Sequence, residues 1–315
     1  RCVIAADNDA DCCESFRATF PDAEVVGGSD GDVRNPALIA RAKELGVDAI
    51  WASPPCQDHS DAKQKLRLTA ISQRNRLYAA VIPWVEQLRA RLIIVENVPK
   101  AKESAWARMT LFRLRQLGYD AEFLTLNAAA LGVPQDRKRV FLLAVRKPGR
   151  LPKLESRFQF APLCTLKDAI GGLSRDKALS LGYEEWKETR RRLYDGQKPG
   201  TTWAGKPPAT LRAFLASYKG RMPAHKTGRL FAWDRPCPCL LTGPSNQTSN
   251  LFVHPSGKRL LSVYEFQRIM GVEDDDGLHL RPRGMSRGEI ASRYKQLGNG
   301  VCPPVAEWLA RFLTK

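Results

Sequence analysis

Three short segments of the chain carry side chains able to do chemistry. The first is Ser53-Pro54-Pro55-Cys56-Gln57. A thiol just past two backbone-stiffening prolines can act as a nucleophile once a positive neighbour or a helix terminus favours the thiolate. Taken alone, the same cysteine also fits a buried structural residue. The second is Val95-Glu96-Asn97-Val98-Pro99. A carboxyl group partly withdrawn from water can stay protonated and donate a hydrogen bond to a base; singly, it also fits a helix-capping acid. The third is Gln135-Asp136-Arg137-Lys138-Arg139. Alternate residues of an extended segment point the same way, so Arg137 and Arg139 are expected on one face. There their guanidinium groups suit a carbonyl oxygen or a phosphate. Singly, each fits a charged strand edge.

The elements that must position these residues alternate. Residues 2–6 read as a short apolar strand, and Asp9 caps a helix that runs through Phe20 and stops at Pro21. Residues 24–26 are a second short strand. Asn35-Pro36 opens a helix that Gly46 ends. Strands follow at 48–52, 92–96, 121–126 and 139–145, with helices at 72–91, bent at Pro83, and at 103–117, ended by Gly118. Strands alternating with helices predict a mostly parallel sheet covered on both faces. In such sheets ligands sit beyond the carboxyl ends of the strands, where the first two segments fall. After Gly149 the pattern breaks, and residues 150–235, rich in Pro, Gly, Arg and aromatics, predict a small irregular second domain. Helix returns at Ser286, where Glu289 completes a capping box, and a last helix starts at Val305.

Charge narrows the partner. The 315 residues carry a formal net charge of +17, and the pI is near 9.8. Such an excess favours a polyanion, most often nucleic acid. Residues 151–235 alone hold 17 basic and 8 acidic side chains, more than half of the net charge in about a quarter of the length. The composition, 43% hydrophobic and 26% charged, is that of a folded globular chain. No apolar run approaches the roughly 18 residues of a membrane span, and residues 1–20 do not read as a secretory signal. The eight cysteines, with Cys12 and Cys13 adjacent and Cys237-Pro238-Cys239 close-set, do not outline a disulfide framework. Four scattered histidines offer no metal site. The expectation is a reduced, metal-free, cytoplasmic protein, prokaryotic or phage-encoded.

Together, the order and spacing of Pro-Cys-Gln, Glu-Asn-Val and Gln-x-Arg-x-Arg resemble the DNA (cytosine-5) methyltransferase family. The resemblance extends to Val3-Ile4-Ala5-Ala6-Asp7-Asn8-Asp9, Gly31-Asp32-Val33, Arg259-x-Leu261-Ser262-x-x-Glu265-x-x-Arg268 and Gln296-Leu297-Gly298-Asn299-Gly300-Val301 with Pro303-Pro304. It covers residues 2–146 and about 236–315. It implies a Rossmann-like, S-adenosylmethionine-dependent methyltransferase sheet in an α/β fold. Residues 1–149 would be catalytic and cofactor-binding, 150–285 a smaller target-recognition domain, and 286–315 a return to the catalytic domain. It further implies that Cys56 attacks C6 of a flipped-out cytosine and that protonated Glu96 bonds to N3. Arg139 would hold O2, and Arg137 would order the pocket. Asp7 fits the cofactor's ribose, Asp32 and Val33 its adenine, and Asn8, Pro55, Asn299 and Val301 complete that site. Double-stranded DNA is the implied partner. Gln57, Ser60, Lys63, Lys65 and Arg67 fall where the family's mobile loop closes over DNA, and Lys206, Arg212 and Arg221 fall in the recognition region.

Two departures accompany the match. The family opens with a strand and a Phe-x-Gly-x-Gly-Gly turn, whereas residue 1 already lies in the next motif. A preceding segment or a separate chain is expected to supply that strand, and a cognate restriction endonuclease is a second expected partner. Asn8 stands where an aromatic or hydrophobic residue often stacks on adenine. The same chemistry on transfer RNA and a catalytically inactive DNA-binding homologue are the alternative functions.

Overall fold

A computed structural model describes residues 1–55, 76–153, 160–184, 194, 196–201, 230–243 and 252–314. The chain divides into two compact units. One comprises Arg1–Asn127, Lys138–Gln159 and Trp308–Lys315, and the other Ala128–Arg137 and Phe160–Glu307.

The first unit follows the alternating pattern. Strand β1 (Ile4–Asp7) leads to helix α1 (Ala10–Thr19), whose Asp9 cap accepts from the amides of Asp11 and Cys12. Strand β2 (Glu24–Gly27) precedes α2 (Pro36–Glu44), capped by Asn35 with proline at its first position. Next come β3 (Ala49–Ala52), α3 (Val81–Leu88), β4 (Leu92–Asn97), α4 (Ala105–Gln116), β5 (Tyr119–Asn127) and β6 (Lys138–Arg146). Strands β1 and β2 pair in parallel as one small sheet. The other sheet has the order β3-β4-β6-β5, with a core of Val85, Ile93, Val95, Leu114, Tyr119 and Leu142 against α3 and α4.

Two expectations are corrected here. In the larger sheet β3, β4 and β5 share a direction, but β6 departs from the expected parallel arrangement by running antiparallel to both β4 and β5. Ten residues separate β5 from β6, too few for the crossover that a parallel pair needs. The bend expected at Pro83 is absent, since α3 begins only at Val81. Pro83 thus lies in the first turn, where an amide has no intrahelical acceptor and its loss costs little. Residues 72–75 of the expected helix lie outside the described residues.

In the second unit, the described residues include α5 (Leu166–Ile170), α6 (Arg175–Leu179), α7 (Val263–Ile269) and α8 (Arg287–Asn299). Its core joins Leu166, Phe231, Leu240, Phe252, Phe266 and Tyr294. Helices α7 and α8 carry full capping boxes, Ser262 with Glu265 and Ser286 with Glu289. The final helix α9 (Pro303–Thr314) opens on two prolines. No helix among the described residues is long and apolar enough to cross a membrane.

Candidate active site

Glu96 sits near the carboxyl end of β4, in register with Phe141 of β6. Arg139 lies two residues along β6 from Phe141, and therefore on the same face of the pleat as Glu96. The Arg139 Nε lies 3.0 Å from Glu96 Oε1, with both side chains largely withdrawn from water. This charge-assisted contact suits an ionised carboxylate in the free protein.

The next residue fixes the approach to the nucleophile. Asn97 is 1% exposed. Its Nδ2 donates to the Pro54 carbonyl at 3.0 Å, while its Oδ1 accepts from the Val98 amide at 2.9 Å. A buried amide with both ends satisfied is a rigid tether, and this one holds Pro54 two residues before Cys56. Sequence reasoning included Asn97 in a motif but assigned it no part. Cys56, Gln57, Ser60, Lys63, Lys65, Arg67, Lys206, Arg212 and Arg221 lie outside the described residues.

A second group of predicted residues gathers at the carboxyl ends of β1 and β2. Asp7 ends β1 with its side chain exposed, and its Oδ1 accepts from the Asp9 amide at 2.8 Å. Asn8 beside it is exposed. Gly31 is buried, and a Cβ there would lie 2.6 Å from the Asp7 carbonyl oxygen and 2.7 Å from that of Val26. Only glycine lets the turn press onto both strand ends. The turn thereby brings Asp32 and Val33 to the side of Asp7. Asp32 is not idle, because Arg34 bonds both its carboxylate oxygens, the closer at 2.6 Å. That hydrogen bonding holds the Asp32 carboxyl down to about 2. Val33 is 37% exposed. An exposed carboxylate at a strand end, a second carboxylate and an exposed apolar side chain one turn away fit a nucleoside's diol, amine and ring face. Pro55 is exposed beyond β3.

Arg137 differs from the expectation that paired it with Arg139 on one face. It is 2% exposed, and its guanidinium is directed at backbone within the second unit. Nη1 donates to the Leu240 carbonyl at 3.0 Å, and Nη2 donates to the carbonyls of Gly298 and Gly300, both at 2.8 Å. The strand pattern breaks at this residue, since Gln135–Asp136 pairs with Cys237–Pro238 and β6 starts only at Lys138. Gln135 adds to the clamp by accepting from the Leu240 amide at 3.0 Å. The two carbonyls held by Arg137 flank Asn299, which is exposed at the end of α8 with half-buried Val301 just beyond. At Gly298 a Cβ would stand 2.2 Å from the Leu241 carbonyl oxygen, so this helix end closes only on glycine. Arg137 is thus a positioning residue for the segment bearing Asn299 and Val301.

Comparison with known proteins bears on the family and the fold. The family model described as C-5 cytosine-specific DNA methylase matches residues 1–315. The Type II methyltransferase M1.HphI of Haemophilus parahaemolyticus is 24% identical over 324 residues, covering 99% of this chain and 80% of that protein. M.NaeI of Lentzea aerocolonigenes is 24% identical over 318 residues, covering 98% and 68%. Among solved structures, a DNA modification methyltransferase encoded within an E. coli prophage matches with a TM-score of 0.71 at 20% identity, over 99% of this chain and 91% of that one. The S. pombe Dnmt2 methyltransferase matches at 0.61 and 14%, over 99% and 89%. These structural likenesses show the fold, a Rossmann-like methyltransferase sheet. The chain belongs to the C-5 cytosine-specific DNA methylase family, the DNA cytosine-C5 methyltransferases, whose methyl donor is S-adenosylmethionine.

Proposed function

We propose that this enzyme methylates C5 of a cytosine flipped out of duplex DNA, through a covalent bond between Cys56 and C6. The target carbons lie inside the base stack, so the base must leave it before side chains can act. The observation that carries the reading is the Glu96–Arg139 pair at 3.0 Å, one residue from the Asn97 tether to Pro54.

Each step uses a named group. The Cys56 thiolate adds to C6, and the displaced electron pair moves into the ring toward N3 and C5. Arg139 transfers its donors from Glu96 to the O2 of the base. Glu96, released from the guanidinium, takes up a proton from solvent and shares it with N3, which spreads the negative charge where it develops. S-adenosylmethionine, when bound, supplies the methyl group from a positively charged sulfur. C5 takes that methyl, a base removes the C5 proton, and the electrons returning to the C5–C6 bond expel the Cys56 thiolate.

The carboxylate of Asp7 is assigned to the ribose hydroxyls and that of Asp32 to the adenine amine, sharing its oxygens with Arg34. Asn8, Val33, Pro55, Asn299 and Val301 are likewise assigned to the cofactor, as the resemblance implies. Residues 57–67 and the basic stretch with Lys206, Arg212 and Arg221 are assigned to DNA, within a target-recognition domain over 150–285. The Type II names of the relatives support a cytoplasmic restriction–modification role beside a cognate endonuclease. The sheet supports one further partner. Among the described residues β1 pairs only with β2 and β3 only with β4, so each presents a one-sided edge. Open edges of parallel strands accept an added strand, and the Gly-rich opening strand of the family, in cis or from a second chain, suits them.

A duplex carrying 5-fluorocytosine tests the covalent step, because fluorine does not leave as a cation. The expected result is a DNA adduct on the peptide containing Cys56, found by mass spectrometry. Methyl transfer to ordinary DNA with no such adduct would overturn the proposal.

A further inference from the structure

We propose that Trp84 is a positioning residue for the cofactor's adenine, acting through the backbone of Val33. The proposal rests on the cofactor assignment above and deepens it. Trp84 lies on α3 and is half-buried, and its indole N–H donates to the Val33 carbonyl at 2.7 Å across 51 residues of sequence. The bond is short, and the indole is a donor with no other polar atom to satisfy.

The turn it reaches is otherwise held by its own residues. The Asn35 amide donates to the Asp32 carbonyl at 2.8 Å, Asn35 Nδ2 to the Asp30 carbonyl at 3.3 Å, and Arg34 clasps the Asp32 carboxylate. These bonds shape the turn but leave its height above the strand ends to outside contacts. Gly31 sets that height on one side, against the carbonyls of Asp7 and Val26. Trp84 sets it on the other, at the residue whose exposed side chain is assigned to the adenine ring. Helix α3 is a firm base for the indole, since Val81 and Val85 anchor it in the core and α2 packs against it. Because Val33 is exposed, its carbonyl can rehydrate when the donor is lost. The bond therefore contributes more to the position of the turn than to folding.

The test compares Trp84→Phe with the unaltered protein in its DNA-methylating form, with S-adenosylhomocysteine binding read by calorimetry. A second variant places a benzothienylalanine at residue 84, which keeps the ring shape, lacks the N–H and guards against misfolding of the first. One lost hydrogen bond to a positioned group predicts about a three- to tenfold weaker affinity in both. The KM for S-adenosylmethionine should rise in parallel, with kcat at saturation changing less than about twofold. The Trp84 indole 15N–H resonance should shift when S-adenosylhomocysteine is added. Unchanged affinity in both variants, or a fall in kcat at constant KM, would overturn the proposal. Failure of the unaltered protein to bind S-adenosylhomocysteine would instead remove the cofactor assignment, and this inference with it.

Discussion

Arg139 and Arg137 stand two residues apart, yet they serve different regions in different ways. At the end of β4 a guanidinium faces a carboxylate, Glu96, and under the proposed function each takes up a new partner when a base arrives. At the end of α8 a guanidinium faces three backbone carbonyls, of Leu240, Gly298 and Gly300, that no substrate replaces. The first contact is proposed to be exchangeable, while the second is architectural. The same side chain is thus assigned chemistry in one unit and gives shape in the other, and what it faces decides which.

Removing each charge should separate the two. Glu96→Gln should lower kcat by about 10²- to 10⁴-fold, the range of a lost acid–base group, with a melting temperature close to that of the parent. A loss under tenfold in single-turnover kinetics would argue that Glu96 only braces Arg139. Arg137→Ala should instead show in denaturant unfolding, with about 3 kcal/mol or more lost because buried carbonyls are left without donors. A fully stable Arg137→Ala protein with no activity would reverse the assignment.

The contrast also explains what was legible beforehand. Asp9, Asn35 and the Ser286–Glu289 box announced their helices because a cap is chemistry between residues two or three apart. Glu96 and Arg139 were singled out by motif order, whereas strand alternation paired Arg139 with Arg137 and missed the Glu96 contact. The role of Arg137 was not legible, since its partners lie more than a hundred residues away, where a period-two pattern has no reach. Asn97 to Pro54 and Trp84 to Val33 were hidden for the same reason, spanning 43 and 51 residues. The antiparallel β6 was misread because alternation of elements says nothing about direction when the connection is short.

Smaller effects sharpen the architectural side. In the second unit His254 is largely buried, 3.6 Å from Glu265 Oε1, with Glu265 also clasped by Arg259. Burial pulls the ring down to about 4, overcoming the opposite pull of Glu265, and Arg259 adds to the fall. The folded state thus refuses a proton that the unfolded chain accepts near 6.5. Its stabilisation is complete above about pH 6.5 and is lost as pH falls toward about 4, by at most roughly 3 kcal/mol. Melting curves across that window should be flatter for His254→Asn; an unchanged slope would contradict the assignment. The smallest effect is expected at Asn97→Ala, about 1 kcal/mol of stability, together with a lower kcat as Pro54 loosens. An unaltered kcat would show that the tether does not govern the approach to Cys56.

The most direct measurement is transfer of labelled methyl from S-adenosylmethionine to duplex DNA and to transfer RNA, with Cys56→Ser as the control. The account predicts label in DNA as 5-methylcytosine, abolished by Cys56→Ser. Label confined to transfer RNA, or DNA methylation that survives Cys56→Ser, would contradict it.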